Sequence, residues 1–414
     1  MLRARLRALV AATTVIALTG GCAGRSASVE QAAPAEPEGS SIPVDVVTAP
    51  LTPPFRESDE ATSAQLGRAL DEGKAALGEV EWVEQTEAAA SGEVAAGEYL
   101  VTYLITPADD YYDLEAAQSN FPAHHTTVLL RSAHVAIVVR DAADGRMVQG
   151  LNVRATLRSE ASNEQQTATL PYGWHPVLNR YGENMVLPAG PFTLSIRIAM
   201  PMYQRHDSTN GDRFRGNVIA RFTHVVVPPD LLAAASQRLA RGDSREAIDL
   251  ARREGDAVDR PLLDMLRSSA VSGSQVRSGD YIVAVAIKPV HGYWEARSGK
   301  LLFVRPDDSV GPVAHIDVSI RDMATGRLLP GLKVRATVLN SRKKEIDTYA
   351  MPFMWHPWMN HYGLNVPAPG PGRYTIRVRA DAPAFRRYGS TALRKFNRPV
   401  DVEIRDVRFV AAEK

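Results

Sequence analysis

His315-Ile-Asp-Val-Ser-Ile-Arg-Asp-Met-Ala-Thr-Gly-Arg327 alternates before it turns. Ile316, Val318 and Ile320 share one face, and His315, Asp317 and Ser319 share the other, which is the period of a β-strand with an apolar side. Residues 322–327 then carry turn chemistry, with aspartate at the start and glycine near the end. Gly331-Leu-Lys-Val-Arg-Ala-Thr337 returns as a second strand. The same order stands 181 residues earlier, in His134 to Arg146 followed by Gly150-Leu-Asn-Val-Arg-Ala-Thr156. Gly279-Asp-Tyr-Ile-Val-Ala-Val-Ala-Ile-Lys-Pro289 likewise repeats Gly97 to Pro107 at an offset of 182. A period of that length means duplication of a whole domain, not a solenoid.

Working outward, Pro191 to Ile198 alternates cleanly and Phe222 to Val227 adds a further strand. Short strands separated by turn signals argue a β-sandwich. Helical patterns run from Ala61 to about Val80 and from Leu231 to about Ser269, one ahead of each repeat. The expected fold is mainly β: two tandem immunoglobulin-like β-sandwiches forming a pseudo-dimer, each preceded by a short helical segment.

The chain has 414 residues, 45% apolar content and a formal net charge of +1, which fits two soluble domains. No basic stripe with interleaved aromatics occurs, so nucleic acid is excluded as a partner. The single cysteine, Cys22, follows a basic run from Met1 to Arg7 and a short apolar run from Ala8 to Leu18. A bilayer span needs about 20 apolar residues, so this reads as a signal peptide. Leu18-Thr-Gly-Gly-Cys22 resembles a bacterial lipobox with its leucine one place further out. The expected organisation is a signal peptide over 1–21, a lipidated Cys22, a flexible tether over 22–60, repeat 1 over 61–229, and a helical segment plus repeat 2 over 230–414. The body is thereby placed outside the cytoplasm, anchored by lipid to the cell membrane. A lipidated sole cysteine excludes disulfides and thiol catalysis.

The most unusual composition lies in Met351-Pro-Phe-Met-Trp-His-Pro-Trp-Met-Asn-His-Tyr-Gly-Leu-Asn-Val366. Its counterpart is Leu170-Pro-Tyr-Gly-Trp-His-Pro-Val-Leu-Asn-Arg-Tyr-Gly-Glu-Asn-Met185. Thioether and imidazole together suit copper, and imidazole with carboxylate suits iron, manganese or zinc. On the preceding strand His315 and Asp317 lie about 6.5–7 Å apart, a spacing that lets both converge on one ion. A lone His-x-Asp on a strand is more often a solvated polar face.

Histidine-x-acid on a strand, a hairpin, and Met-Pro followed by His-Tyr-Gly together resemble the bacterial periplasmic iron-transport proteins. Those are dimeric immunoglobulin-like sandwiches that bind copper and iron beside a membrane iron permease. The Trp-His-Pro form resembles related lipoproteins labelled iron transporter. The resemblance implies that His315 and Asp317, the latter shortened from the usual glutamate, are ligands. The family methionine, seven residues before the loop histidine, falls on Met354 with His361; Met351 competes if the loop carries one extra residue. The family's further histidine falls on Tyr388. Repeat 1 keeps His134 but has Ala136, Gly173 and Arg180 in place of acid, methionine and loop histidine, while His206 keeps the histidine that repeat 2 lacks. The expected centre is therefore composite: His315, Asp317, Met354 and His361 with His206 from repeat 1, and Met351, His356 and His134 as further candidates. His175 and His356 stand alike in Trp-His-Pro, which argues a loop-shaping role, and Trp174 and Trp355 read as sandwich-edge core.

The function so implied is a membrane-anchored, extracytoplasmic protein that binds copper and/or ferrous iron and assists a membrane iron permease. Neutral imidazole is required, so the ordinary histidine range predicts falling affinity below about pH 6. No enzyme is expected: there is no Gly-x-Ser-x-Gly elbow, Walker loop or His-Glu-x-x-His helix. The alternative is a non-catalytic spacer or interaction module in which the Met/His stretch is packing. Whether the duplicated chain also dimerises is left open.

Overall fold

The computed structural model describes residues 57–113, 123–124, 132–228, 230, 245–268, 271–306, 313–389 and 395–409. All belong to the compact unit Val44–Lys414. The expected signal peptide, Cys22 and most of the tether lie outside the described residues. No described helix is long and apolar enough to cross a membrane.

The fold is mainly β, with the two sandwiches the sequence predicts, each made of an eight-stranded and a four-stranded sheet. In half 1 the long strands Tyr99–Pro107 and Ser132–Asp141 pair antiparallel, and Arg180–Val186 follows beside them. In half 2 the same places are taken by Tyr281–Lys288, Val313–Asp322 and His361–Pro367. Ile316, Val318 and Ile320 face the sandwich core as their alternation requires, alongside Val283, Val334 and Ile376. The edge strand Ala90–Ala96 and the strand Gln165–Leu170 are absent from the sequence reading. Both lie at sheet edges; the β-branched residues are Val94 in the first and only threonines in the second, so neither shows the apolar alternation of a buried strand.

The halves exchange strands. Gln204–Arg205 of half 1 runs parallel to Phe353–Trp355 in the large sheet of half 2, pairing Gln204 with Met354. Reciprocally, Arg386–Tyr388 of half 2 joins Tyr172–Trp174 in the large sheet of half 1. The tryptophans cross too. Trp355 is buried in the core of half 1 and Trp174 in the core of half 2, where it meets Phe396 edge-on at 5.3 Å. They are core, as expected, but each is core of the opposite sandwich.

The helices Ser63–Thr86 and Arg245–Arg267 pack on each other and on the outer faces of the large sheets. The first opens with a reciprocal capping box between Thr62 and Gln65 and runs past the predicted end near Val80. For the second, residues 231–244 of the predicted helical segment lie outside the described residues. Gly73 and Gly255 permit close contact with the hairpin turns, because a Cβ at either would overlap the carbonyl of Asp144 or Thr325. This covering explains why His315, Asp317 and Ser319, on the polar face of their strand, are each no more than 2% exposed.

The hairpin arginines tie the halves together. Arg146 donates to the carbonyls of His356 and Pro357, and Arg327 donates to those of His175, Pro176 and Val177. Each Trp-His-Pro loop is thus held by the other half. Arg327 also lies 3.5 Å from Glu79 and 3.8 Å from Glu254, one from each helix.

Candidate metal centre

His315 and Asp317 project from the same face of Val313–Asp322. On the neighbouring strand, Gly363 stands opposite Asp317 and Asn365 opposite His315. His361 and Gly363 share one face, while Tyr362 points to the core and binds the hairpin through Leu329 O at 2.7 Å and Leu332 N at 3.0 Å. Gly363 leaves the space: a Cβ there would lie 2.6 Å from His315 Nε2 and 2.9 Å from His361 Nε2. His361 pairs in register with Met354, which is itself opposite Gln204 of the exchanged strand. Two residues beyond Gln204, His206 arrives from half 1.

The imidazoles converge. The His206 ring centroid lies 4.8 Å from that of His315 and 5.2 Å from that of His361. One nitrogen of each of the three falls within 4.8 Å of the others. His315 Nε2 and His361 Nε2 are 3.4 Å apart, and Asp317 Oδ1 lies 2.9 and 3.1 Å from them.

The hydrogen-bond network assigns the protons. Asn365 Nδ2 donates to His291 O, so its Oδ1 faces His315 Nδ1 at 2.7 Å and that nitrogen carries the hydrogen. His361 Nδ1 faces Met359 O at 3.1 Å, and a carbonyl only accepts. With each ring neutral, Nε2 presents a lone pair to the other and to a carboxylate. Burial lowers the His315 pKa, keeping that ring neutral, although Asp317 works the other way. Oδ1 of the buried Asp317 faces the two histidine nitrogens, and Oδ2 faces the Lys288 ammonium at 2.7 Å. Lone pairs and a carboxylate converging in a dry cluster fit a cation, with each ring steadied through its other nitrogen. Burial would raise the Asp317 pKa, but positive charge beside it, the Lys288 ammonium included, holds it well below the usual carboxylate range.

Glu60 was missed in the sequence, where residues up to 60 read as tether. Its side chain is 3% exposed, with Oε2 at 2.9 Å from His206 Nδ1, and Oε1 accepts the Asp207 amide at 2.8 Å. Asp59 accepts from the Ser208 hydroxyl at 2.6 Å. The folded body therefore begins before residue 61. Glu60 draws the His206 proton to Nδ1 and leaves Nε2 bare, and burial holds the His206 pKa well below its ordinary value. Asn365 was also missed, although Asn184 repeats it in the other stretch. His134 Nδ1 lies 3.1 Å from Asn184 Oδ1, and Asn184 Nδ2 donates to Asp109 O.

The remaining candidates separate. Met354 is 1% exposed beside His361. Met351 instead ends Glu345–Met351 in the small sheet, pairs with Val334 and faces the core of half 2, so it is placed as packing rather than beside the cluster. His356 stands near His206, with ring centroids 5.2 Å apart and Nε2 at 3.6 Å from Glu60 Oε2. Its Nδ1 accepts the Trp358 amide at 3.4 Å, so its proton sits on Nε2 facing Glu60. This orients Glu60 and offers no lone pair to an ion. His175 Nδ1 likewise accepts the amides of Val177 and Leu178.

His134 belongs to the counterpart in half 1, away from the cluster. Its ring meets Tyr388 edge-on at 4.9 Å, and the Arg180 guanidinium lies 5.4 Å over the same tyrosine. A Cβ on Gly173 would overlap the Tyr388 ring. Phenol and guanidinium thus fill the place that imidazole and thioether take in half 2. Burial, with Arg180 adding to it, pushes the His134 pKa down to about 3.

Two solved structures are similar in fold to part of the chain. FetP of uropathogenic Escherichia coli strain F11 is 16% identical, over 34% of this chain and 97% of that one, with a TM-score of 0.26. The copper-reconstituted P19 protein of Campylobacter jejuni is 16% identical, over 35% and 98%, with a TM-score of 0.27. No curated protein matches the chain in sequence. Likenesses of that size leave the weight on the family match: residues 317–410, which hold Asp317, Met354 and His361, match the Fe2+ transport protein family, the resemblance that the motifs carry.

Proposed function

We propose that this protein binds one copper or ferrous ion per chain at the composite centre and serves iron uptake outside the cytoplasm, as a binding protein and not as an enzyme. The observation that carries the reading is the convergence of bare Nε2 atoms from His315 and His361, with His206 of the other half, on a buried carboxylate. His206, His315, His361, Asp317 and Met354 would hold the ion, and Glu60, Asn365 and the Met359 carbonyl would orient the rings. Imidazole and thioether favour copper, and the carboxylate makes the set acceptable to Fe2+. The Fe2+ transport match supports iron as the element served, and the copper in the P19 structure supports a place for copper. A lipid on Cys22 would hold the body at the membrane surface, beside an iron permease that receives the ion.

Titration of the chain with Cu2+ and with Fe2+ under anaerobic conditions tests this. One equivalent should bind, be lost in His361→Ala and be weakened in His206→Ala. Absence of stoichiometric binding of either ion would leave the Met/His stretch as packing and favour the spacer module.

A further inference from the structure

Lys288 ends the strand Tyr281–Lys288 and stands opposite His315 across the ladder. Its ammonium lies 2.7 Å from Asp317 Oδ2, the oxygen that faces neither histidine, and its side chain is 14% exposed. It also lines an open cleft of about 500 Å³ together with Glu60, His291, His356 and Trp358. Lys288 thus borders the cleft on one side and Asp317 on the other.

Half 1 provides an internal comparison. There the residue opposite the strand histidine is Thr106, whose hydroxyl turns to Pro107 O, and the acid's place is held by Ala136. Lysine and acid are present together in one half and absent together from the other. Steering of cations does not account for the lysine, because a positive group at the mouth repels them. Its one close partner among the described residues is Asp317, and half 1, which has no acid there, has no lysine either.

We propose that Lys288 is a tethered competitor for the incoming ion. In the metal-free protein its ammonium neutralises Asp317, which would otherwise be a buried carboxylate without a compensating charge. A divalent ion among the Nε2 atoms claims the same carboxylate, and two cations at one buried acid repel each other. The ion therefore binds only as the ammonium withdraws, and the flexible four-carbon stem lets it swing into the cleft. When the ion leaves, Lys288 returns to Asp317. The exchange keeps the charge at the carboxylate balanced in both states, weakens retention and eases release, as suits a protein that passes its ion on. This inference rests on the composite centre proposed above.

The test uses the full chain with Cu2+ alone as probe, in wild type, Lys288→Met and Lys288→Thr. Losing the competitor should tighten Cu2+ binding about ten-fold and slow its loss to a chelator. The metal-free variants should melt below metal-free wild type, while the copper-loaded forms melt together. In an Asp317→Asn background, Lys288→Met should change affinity little. In wild type itself, acylation of Lys288 followed by mass spectrometry should be faster with copper bound than without it. Binding that is unchanged or weaker in both Lys288 variants, or acylation slowed by copper, overturns the competitor while leaving the centre standing. A wild-type chain that binds no ion overturns both.

Discussion

Replacing Glu60 by glutamine changes no volume and removes no ligand, yet it should cost most of the affinity at the centre. Glu60 accepts on both oxygens: Oε1 from the Asp207 amide at 2.8 Å, and Oε2 beside His206 Nδ1 at 2.9 Å and His356 Nε2 at 3.6 Å. A glutamine that keeps its oxygen toward Asp207 turns its NH2 on His206. The ring must then accept at Nδ1, and its proton moves to Nε2, onto the lone pair an ion needs. A glutamine flipped the other way sets two donors, its own NH2 and the Asp207 amide, against each other. Either outcome removes one orienting hydrogen bond. Loss of such a partner behind a histidine ligand typically lowers metal affinity about 10–100-fold, or about 1.4–2.7 kcal/mol. The metal-free fold should lose about 1–3 kcal/mol. Competition titration of Cu2+ against a chelator, run on wild type, Glu60→Gln and His206→Ala, reads this directly. Affinity unchanged in Glu60→Gln but lost in His206→Ala would refute the tautomer argument.

Three further expectations follow from the same geometry. Gly363→Ala sets a methyl between His315 and His361; the overpacking should cost about 1–3 kcal/mol in urea unfolding and abolish Cu2+ binding by calorimetry. Arg327→Met strips the Trp-His-Pro loop of half 1 of its donors and leaves Glu79 and Glu254 without their cation, so chemical denaturation should show a loss of about 3–5 kcal/mol. For pH, burial depresses the imidazoles of His206 and His315 below their ordinary value of 6.5. Below that pH the unfolded chain takes up protons that the native one refuses, so metal-free stability should fall as pH drops from about 6.5. Cu2+ affinity should in turn hold through pH 6, lower than unperturbed histidines allow, as pH-resolved titration will read; a fall centred at pH 6.5 would contradict the burial argument.

What was legible in the sequence was whatever repeated. The strand around His315 announces itself by alternation, and its copy around His134 turns one sandwich into two. His206 was reachable because the two copies lose different ligands. Glu60 was not, because it follows a stretch rich in Ala, Ser, Glu and Pro and has no partner in its own neighbourhood; only the return of the His206 loop gives it one. Arg146 and Arg327 were read as hairpin residues because their acceptors are carbonyls about 210 and 150 residues away in sequence. Carbonyl acceptors leave no trace in residue type. The polar face of His315, Asp317 and Ser319 could be read as a solvated face or as an ion site for a related reason: alternation tells which residues share a side, not what covers it.

The exchange of Gln204–Arg205 for Arg386–Tyr388 has a consequence for dilution. In a two-chain assembly, a cluster drawing His206 from one body and His315 and His361 from another comes apart when the partners are scarce. Here both bodies lie on one chain, so closure of the cluster is unimolecular and independent of protein concentration. Covalent linkage also frees the second location from symmetry: Arg180 and Tyr388 can fill it without touching the first, which two identical chains could never arrange.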